Sequence, residues 1–264
     1  MIEPVPAHPF HWSRQPWGLA LLSGHFSGCA VHLFTTRDVD LRGPLARDGW
    51  REVAASVGVD AARLVRLEQV HGTASVAVRA GDGYRVADDE GNGPRADIVM
   101  TDDPTVAVSV QVADCVPMLL ADRRTGAVAA VHAGWRGTAA RAALEALAAM
   151  RANFGTRARD LIAAIGPSIG PCCYQVGSDV LDAFLRAGSS DAEVGRWFGR
   201  TPKGDGLTLD VARANIDQLR SGGIPPNSID ACGFCTACHP ALFHSYRRDG
   251  AGTGRLAAVI RPIK

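Results

Sequence analysis

The sequence predicts an α+β fold in which layered mixed β-sheets are flanked by helices, in a single domain that covers residues 1–264. Strand-like runs cluster early in the chain and helix-like segments cluster late, without the regular alternation of a doubly wound sheet. The chain shows no internal repeat of the kind that builds solenoids or propellers. With 47% hydrophobic residues it can bury a large core, and no linker divides it.

The strands are predicted from short apolar runs bounded by turn residues. Apart from the hairpin described next, the runs are 31–35, 64–70, 75–78, 98–101, 106–112, 161–165 and 256–260. The polar, glycine-rich segment 81–97 lies between two of them. Its turn residues and mostly acidic charges predict a surface loop.

A β-hairpin is predicted in the middle of the chain. Apolar runs at 116–121 and 127–131 are joined by the turn sequence Asp-Arg-Arg-Thr-Gly at 122–126. If the two strands pair across this turn, Cys115 before the first strand returns beside His132 after the second. A thiol and an imidazole would then share one rim of a sheet.

Three helices are predicted from their caps and breakers. The first follows Thr138 as N-cap and runs to about Asn153, the second starts at Ser178 and stops at Gly188, and the third starts at Asp210 and stops near Gly222. All three fall after the hairpin, which supports the segregation of strands and helices expected of an α+β fold.

The charge balance bears on the class of partner. A formal net charge of +1 offers no electrostatic attraction for nucleic acid or an anionic membrane, so we expect a small-molecule ligand. The first 18 residues contain prolines and aromatics where a signal peptide needs an unbroken apolar core, and no later run reaches membrane-spanning length. We therefore expect a soluble, cytoplasmic protein. The oligomeric state is open at this level.

Three residues form a candidate metal site and candidate catalytic group, namely His71, Cys115 and His132. Each lies at the end of an apolar run or just after it, beside a small or turn-forming residue. Two histidines and one cysteine would leave the fourth position of a tetrahedral Zn²⁺ open, as catalytic zinc requires. Two alternatives stay open: a thiol nucleophile at Cys115 with His132 or His71 as its base, and purely structural packing.

The seven cysteines are an odd number, which favours reduced thiols or metal ligands over a disulfide framework. The segment CGFCTACH at 232–239 has the C-x2-C-x2-C spacing of an iron–sulfur or structural zinc site, but the fourth cysteine of the ferredoxin run and a second CxxC are both missing. We expect free thiols there and no iron–sulfur cluster. The adjacent Cys172 and Cys173 are interpreted as loop or packing residues.

The segment 245–255, SYRRDGAGTGR, combines three arginines with a glycine-rich turn. Arginine forks and exposed backbone N–H groups suit a phosphate or a carboxylate, although a solvated turn with surface arginines has the same composition. The sequence contains no Walker motif, dinucleotide fingerprint or GxSxG nucleophile elbow.

Seven segments carry a family resemblance, in order along almost the whole chain. They are FTTR (34–37), LEQVHG (67–72), ADIVMTD (96–102), ADCVPMLLAD (113–122), AVHAGWRGT (130–138), IGPSIGPCCYQVG (165–177) and FHSYRRDGAGTGR (243–255). Together they resemble the multicopper polyphenol oxidase or laccase-domain proteins, a family now regarded as zinc-dependent purine nucleoside phosphorylases. The family's GGVS and SLNLG segments have no counterpart after FTTR, which predicts a narrower or shifted substrate set.

The resemblance implies layered sheets flanked by helices and a zinc site with His71, Cys115 and His132 as ligands. It implies phosphorolysis of adenosine, inosine, guanosine and methylthioadenosine, with adenosine deamination as a second activity. For such a reaction inorganic phosphate is the second substrate, and the sequence offers Arg37, Arg136 and Arg248 as candidates to orient it.

A copper oxidase is the alternative that the older family name suggests. Two histidines and one cysteine are also the ligands of a blue-copper site, with Met118 near in sequence. However, residues i and i+3 of a strand point to opposite faces, which makes Met118 an awkward axial ligand for a site at Cys115. A laccase also needs several His-x-His pairs for its copper cluster, and this sequence has none. We therefore favour zinc.

Overall fold

Two six-stranded sheets pack face to face, with helices on both outer surfaces. The computed structural model describes residues 3–42, 46–81, 93–201, 204 and 206–263. The predicted α+β architecture is confirmed. The described strands are β1 (Phe10–Gln15), β2 (Gly18–Ser23), β3 (Ala30–Thr35), β4 (Leu64–Val65), β5 (Ser75–Val78), β6 (Ile98–Thr101), β7 (Ala107–Val112), β8 (Val116–Asp122), β9 (Val128–Ala133), β10 (Leu161–Ile165), β11 (Gln175–Val176), β12 (Phe198–Arg200), β13 (Leu207–Leu209), β14 (Ile229–Ala231) and β15 (Leu256–Pro262). The described helices are α1 (Ala46–Ser56), α2 (Trp135–Ala139), α3 (Ala142–Phe154), α4 (Ser178–Arg186), α5 (Asp191–Trp197), α6 (Val211–Ser221) and α7 (Tyr246–Asp249).

Both large sheets are mixed. The first has the strand order β1-β2-β3-β15-β7-β4 and the second β14-β10-β8-β9-β6-β5, while β11, β13 and β12 form a small third sheet. Most pairs are antiparallel, but β4–β7, β5–β6 and β10–β14 are parallel. Within the part of the chain described, no helix is both long and apolar enough to cross a membrane.

Three apolar layers hold the sheets and helices together. Trp50 of α1 packs on the outer face of the first sheet, Phe34 and Leu119 meet between the two sheets, and Met118 packs between the second sheet and the helices that include α3 and α6. Alternate residues of β8 therefore enter different layers, as the period of a strand requires. Burying a large apolar side chain stabilises the fold by about 1.5–3 kcal/mol.

The central hairpin forms as predicted. Asp122 accepts hydrogen bonds from the N–H groups of Arg124 (2.8 Å) and Thr125 (3.2 Å), and Gly126 takes a positive φ of 82°. The second strand extends further than its apolar run indicated, so that His132 lies inside β9, opposite Pro117. Cys115 and His132 nevertheless reach the same rim, because Cys115 immediately precedes β8.

The helix predicted after Thr138 is instead two helices, α2 and α3, separated at Arg141. Thr138 lies inside α2, where its hydroxyl donates to the Gly134 carbonyl, so it is not an N-cap. Arg141 adopts φ 65° and ion-pairs with Glu193 at 2.8 Å, which fixes the break. The predictions for α4 and α6 are confirmed, including Asp210 as the N-cap of α6.

Other elements differ from the prediction. Of the run 64–70 only Leu64–Val65 is a strand, because the chain then turns to bring three N–H groups onto a buried carboxylate described below. The helices α1 and α5 and the strands β1 and β2 were not predicted. The surface loop expected at 81–97 falls largely on residues 82–92, which lie outside the described residues.

Candidate metal centre and substrate cavity

The three candidate ligands lie together. The ligand atoms of His71, Cys115 and His132 are all within 4.8 Å of one another, and the two imidazole rings meet edge to face with centroids 4.8 Å apart. His132 is buried, Cys115 is half-buried and His71 is exposed. The group therefore has one side anchored in the protein and one side open to solvent, as a site that binds a small molecule requires.

Two residues of this site hold backbone conformations that are unusual for non-glycine residues. His71 has φ 59° and Asp114, just before Cys115, has φ 89°. Such conformations cost on the order of 1–3 kcal/mol and persist where surrounding contacts impose them. At Asp114 the contacts are two short hydrogen bonds, which its carboxylate accepts from the Thr236 hydroxyl and the Arg247 N–H, both at 2.6 Å. These contacts fix the direction in which Cys115 points.

Asp97 organises the histidines. One of its oxygens accepts from His132 Nδ1 at 2.7 Å and from the N–H of His71 at 2.9 Å, and the other accepts from the N–H of Gly72 at 2.7 Å. The side chain is fully buried. Because Nδ1 of His132 is held by the carboxylate, Nε2 is the nitrogen available to a metal or to Cys115. Sequence reasoning missed Asp97, although it lies in the ADIVMTD segment at the start of β6.

The electrostatics of the group follow from these contacts. Burial raises the pKa of the Cys115 thiol, but the hydrogen bonds and charges of His132 and His71 outweigh burial and lower the pKa to about 6. Burial lowers the pKa of His132, but its hydrogen bonds to Asp97 and Cys115 raise the pKa to about 9. A cysteine that is readily ionised is a good zinc ligand, since the metal binds the thiolate.

Gly134 leaves the space that the three ligands need. A Cβ atom at this position would lie 2.9 Å from Sγ of Cys115 and 3.1 Å from Cδ2 of His71. Its φ of –73° is accessible to any residue, so the requirement for glycine comes from space and not from backbone conformation. The residues present thus form a cradle of two nitrogens and one sulfur, which suits zinc.

Replacing Asp97 by asparagine tests its role as an orienting residue. The amide NH₂ of asparagine would face N–H groups whose hydrogen bonds the carboxylate now accepts. The tautomer of His132 would then no longer be fixed. We expect zinc affinity to fall by about 10–100-fold, as is usual for such outer contacts. Competition with a chromogenic chelator measures this. Asp103→Asn, in the turn before β7, is the matched control and should keep wild-type affinity.

A cavity of about 640 Å³ opens over the three ligands. This volume lies within the range of about 300–1,000 Å³ that small-molecule sites occupy. The cavity is lined by aromatic, amide, apolar and charged side chains that come from both large sheets, from the loops after them and from the helices α2, α6 and α7. Besides the three ligands, the polar and aromatic lining residues are Gln69, Gln111, Asp114, Trp135, Tyr174, Tyr246, Arg247 and Arg255.

The three arginines selected from the sequence are not among the residues that line this cavity. Arg37 donates to the Pro240 carbonyl, and Arg136 stacks on the ring of Trp135 with its guanidinium carbon 4.3 Å from the centroid. The Arg248 guanidinium donates to three backbone carbonyls and pairs with Asp249 at 2.6 Å. These contacts make Arg248 a cross-link between segments of the protein.

Two other arginines of the same segment do line the cavity. Arg255 is half-buried and donates to the carbonyls of Thr253 and Gly254, and among the described residues no carboxylate offsets its charge. Burial and the neighbouring Arg42 both lower its pKa. Arg247 lies over the ring of Tyr174, 5.1 Å from its centroid. The sequence had identified this arginine-rich segment, but not which of its arginines face the ligands.

The cysteines of CGFCTACH separate in the structure. Cys232 is buried between the two sheets, whereas Cys235 and Cys238 lie with Cys172 and Cys173 in one group of four thiols. The fourth sulfur that the local spacing lacks is therefore supplied by a different loop. Cys172 and Cys173, interpreted from the sequence as loop or packing residues, do lie in a loop, and the structure adds that their thiols lie beside those of Cys235 and Cys238.

Comparisons with known proteins show similarity over most of the chain. The sequence model of the multi-copper polyphenol oxidoreductase laccase family matches residues 46–262. Purine nucleoside phosphorylase YlmD of Geobacillus stearothermophilus is 33% identical over 251 residues, covering 89% of this chain and 90% of the relative. Its crystal structure superposes with a TM-score of 0.81 and 31% identity, over 97% of this chain and 100% of that chain.

Two further relatives bear on the chemistry. A purine nucleoside phosphorylase of Deinococcus radiodurans is 37% identical over 221 residues, which is 82% of this chain and 77% of the relative. An adenosine deaminase from an unknown prokaryotic organism is 34% identical over 206 residues, 77% of this chain and 76% of the relative. The similar proteins are thus named for reactions of purine nucleosides.

Proposed function

The chain belongs to the multi-copper polyphenol oxidoreductase laccase family, and we propose that within this family it acts as a purine nucleoside phosphorylase. Relatives named purine nucleoside phosphorylase or adenosine deaminase indicate a nucleoside-processing enzyme. In the proposed reaction a phosphate oxygen bonds to the anomeric carbon of ribose while the bond to the purine nitrogen breaks. Adenosine, inosine, guanosine and methylthioadenosine are the proposed substrates, with adenosine deamination as a second activity.

One observation carries this proposal: a single cavity of about 640 Å³ contains a three-ligand metal cradle, aromatic side chains and two arginines. A nucleoside and a phosphate need these three kinds of surface together. The aromatic rings suit the flat base, and the arginines suit the phosphate oxygens. The cradle lies between the β8–β9 rim and the loop that contains His71.

Zinc is the proposed metal, held by His71, Cys115 and His132. Two observations support the fit, namely the set of one sulfur and two nitrogen donors and the space left by Gly134. A bound zinc would polarise a phosphate or substrate oxygen and lower the pKa of a bound water molecule. Met118 packs in the helix-side layer while Cys115 contacts the layer between the sheets, which argues against an axial methionine for copper.

The base is proposed to lie against Trp135, Tyr174 and Tyr246. Burial, followed by the nearby negative charge of Cys115, raises the pKa of Tyr174 to about 12. Its hydroxyl therefore keeps its proton at neutral pH and can donate a hydrogen bond to a purine nitrogen. Such a bond stabilises the negative charge that develops on the departing base.

Arg255 and Arg247 are proposed to bind phosphate in place of the arginines selected from the sequence. A half-buried guanidinium without a carboxylate partner among the described residues gains most from an anionic ligand. Arg247 is held in position by hydrogen bonds from its side chain to the carbonyls of Gln175 (2.8 Å) and Cys173 (3.4 Å). Both guanidiniums therefore lie at the cavity wall with part of their hydrogen-bonding capacity uncommitted.

The experiment is an assay of inosine with and without inorganic phosphate, on wild type and on two Arg255 variants. Hypoxanthine and ribose 1-phosphate should form only when phosphate is supplied. Arg255→Ala should lower kcat/KM for phosphate by about 100-fold. Arg255→Lys should lower it by less, because lysine keeps the charge but loses the bidentate hydrogen bonding of the guanidinium. Arg51→Ala, which removes only a surface pair with Asp48, is the control. Methylthioadenosine and adenosine belong in the same assay, since we expect a narrower or shifted substrate set.

Two other outcomes would contradict the proposal. Base release at the same rate without phosphate would identify a nucleoside hydrolase. Failure on every purine nucleoside, combined with oxidation of phenols by copper-loaded protein, would establish the oxidase activity that the family name describes.

A cysteine hydrolase is the second candidate, and one observation favours it. Cys115, His132 and Asp97 form a line of thiol, imidazole and carboxylate, with the pKa of Cys115 lowered and that of His132 raised. Such an enzyme would work without metal and be inactivated by a thiol alkylator. The third donor, His71, has no necessary part in that mechanism, and for this reason we prefer the metal-dependent reaction.

A further inference from the structure

We propose that Cys172, Cys173, Cys235 and Cys238 form a second metal site, in which four thiolates hold one structural Zn²⁺. Their sulfur atoms all lie within 4.8 Å of one another, and the group is separate from the His71, Cys115 and His132 cradle. Two of the four come from the loop after β10 and two from the loop after β14. The proposal adds a site to the chain and does not depend on which reaction the cavity performs.

The spacing of the sulfur atoms fits one ion. Sγ of Cys238 lies 3.4 Å from Sγ of Cys173 and 3.6 Å from Sγ of Cys172. A tetrahedral zinc with zinc–sulfur bonds of about 2.3 Å requires sulfur–sulfur separations of about 3.8 Å. A disulfide would require about 2.05 Å. An iron–sulfur cluster distributes its four cysteines over two or four iron atoms and so spreads them more widely than a single ion does.

Backbone contacts hold the two loops in register. Ser168 and Cys235 form an isolated parallel bridge, and the N–H of Thr236 donates to the Ser168 carbonyl at 3.0 Å. The N–H of Gly170 donates to Sγ of Cys235 at 3.2 Å, the kind of contact that stabilises a metal-bound thiolate. The sulfur atoms are therefore brought together by main-chain structure, which lowers the entropy lost when an ion binds.

Two arginine side chains lie beside the group. The Arg248 side chain donates to the carbonyls of Thr236 and Ala237, between the two cysteines of the CxxC pair. The Arg247 side chain donates to the Cys173 carbonyl at 3.4 Å. Four thiolates around one zinc ion carry two excess negative charges, and the two guanidiniums oppose these charges. This arrangement gives Arg248 a structural reason for its position outside the cavity.

Zinc at this site would hold one wall of the substrate cavity. The loop that contains Cys172 and Cys173 also contributes Ile169 and Tyr174 to the cavity lining. The other loop contributes Thr236, whose hydroxyl donates to Asp114 beside Cys115. Four protein ligands leave no open position, which is the mark of a structural site as opposed to a catalytic one. Cys172 and Cys238 are exposed, so an ion can enter from solvent as the thiol protons leave.

The experiment measures metal content and cobalt spectra of the full-length chain purified under reducing conditions. Wild type should contain about two zinc ions per chain, and both Cys115→Ala and Cys172→Ser/Cys238→Ser should contain about one. Cobalt-loaded Cys115→Ala should show the intense sulfur-to-cobalt charge-transfer absorption of a four-thiolate site, and the double variant should lose it. Cys29→Ser is the matched control, since its partly buried thiol lies outside both groups and donates only to the Phe26 carbonyl.

Each alternative outcome overturns the inference. Cys115→Ala protein that binds no zinc and gives no thiolate spectrum with cobalt would show four free thiols. A brown iron–sulfur chromophore, or a disulfide found by mass in protein isolated without metal, would assign the group to different chemistry. If the double variant does not fold, the spectrum of Cys115→Ala still decides, because it requires no change in the four cysteines.

Discussion

Replacing Cys115 by alanine is expected to abolish phosphorolysis and to remove the metal from the cradle. The variant loses the only sulfur donor there, and two histidines without it make a much weaker zinc site. Activity should fall by more than the roughly 100-fold that is lost when a residue that only hydrogen-bonds to a metal ligand is replaced. Steady-state kinetics with inosine and phosphate, together with metal analysis of the same preparation, measure the two effects.

The fold should survive this substitution. Cys115 lies at the edge of a core built from two sheets and their helices, and a large core of this kind does not depend on one ion. Metal-free wild type and metal-free Cys115→Ala should therefore melt at nearly the same temperature. Unfolding of both metal-free proteins would mean that a bound ion is structural, and full activity of the variant would mean that Cys115 takes no part in the reaction.

Replacing Gly134 by alanine is expected to have the next largest effect. The new methyl group would lie within 3.1 Å of both the Cys115 sulfur and the His71 ring, so at least one ligand must move. The backbone of β9 and α2 holds position 134, so the displacement falls on the ligands. We expect zinc affinity and kcat/KM both to drop by at least about 10-fold, since displacements near 1 Å cost as much as about 100-fold.

Gly195 provides the control for that variant. It lies in α5 with nothing within 4 Å of an added Cβ, and its φ is not positive. Gly195→Ala should leave activity unchanged and raise the free energy of unfolding by about 0.5–1 kcal/mol, as removal of a helix glycine does. If Gly134→Ala binds zinc and turns over substrate as wild type does, the space at this position has no role in ligand placement.

The hairpin could be predicted because its signal is local. Two apolar runs joined by five turn residues leave one plausible register, and that register brings Cys115 to His132. His71 could be proposed from residue type and from the family resemblance, but the strand predicted before it is mostly irregular. The chain there turns so that its N–H groups donate to the carboxylate of Asp97. Hydrophobic periodicity carries no information about such a contact.

Helix α1 and the break between α2 and α3 show a second limit. Residues 46–56 form a helix in a part of the chain for which the sequence analysis predicted no element, and packing of Trp50 on the first sheet accompanies it. Arg141 takes a left-handed conformation while it pairs with Glu193, which is 52 residues away in sequence. At Arg141 a tertiary contact overrides local propensity.

The sequence by itself determined the α+β class, the central hairpin and the residue types of the candidate metal cradle, because these follow from local periodicity and from motifs that stay intact within one segment. Three contacts are visible only in the folded chain, namely Asp97 with His132, Arg247 and Arg255 with the cavity, and the four cysteines with one another. These contacts join residues that lie 35 positions apart for Asp97 and His132, 65 for Cys173 and Cys238, and 133 for Asp114 and Arg247. The physical reason is that such pairs form when sheets and loops from separate parts of the chain pack together, and no local pattern specifies which distant side chains will then be neighbours.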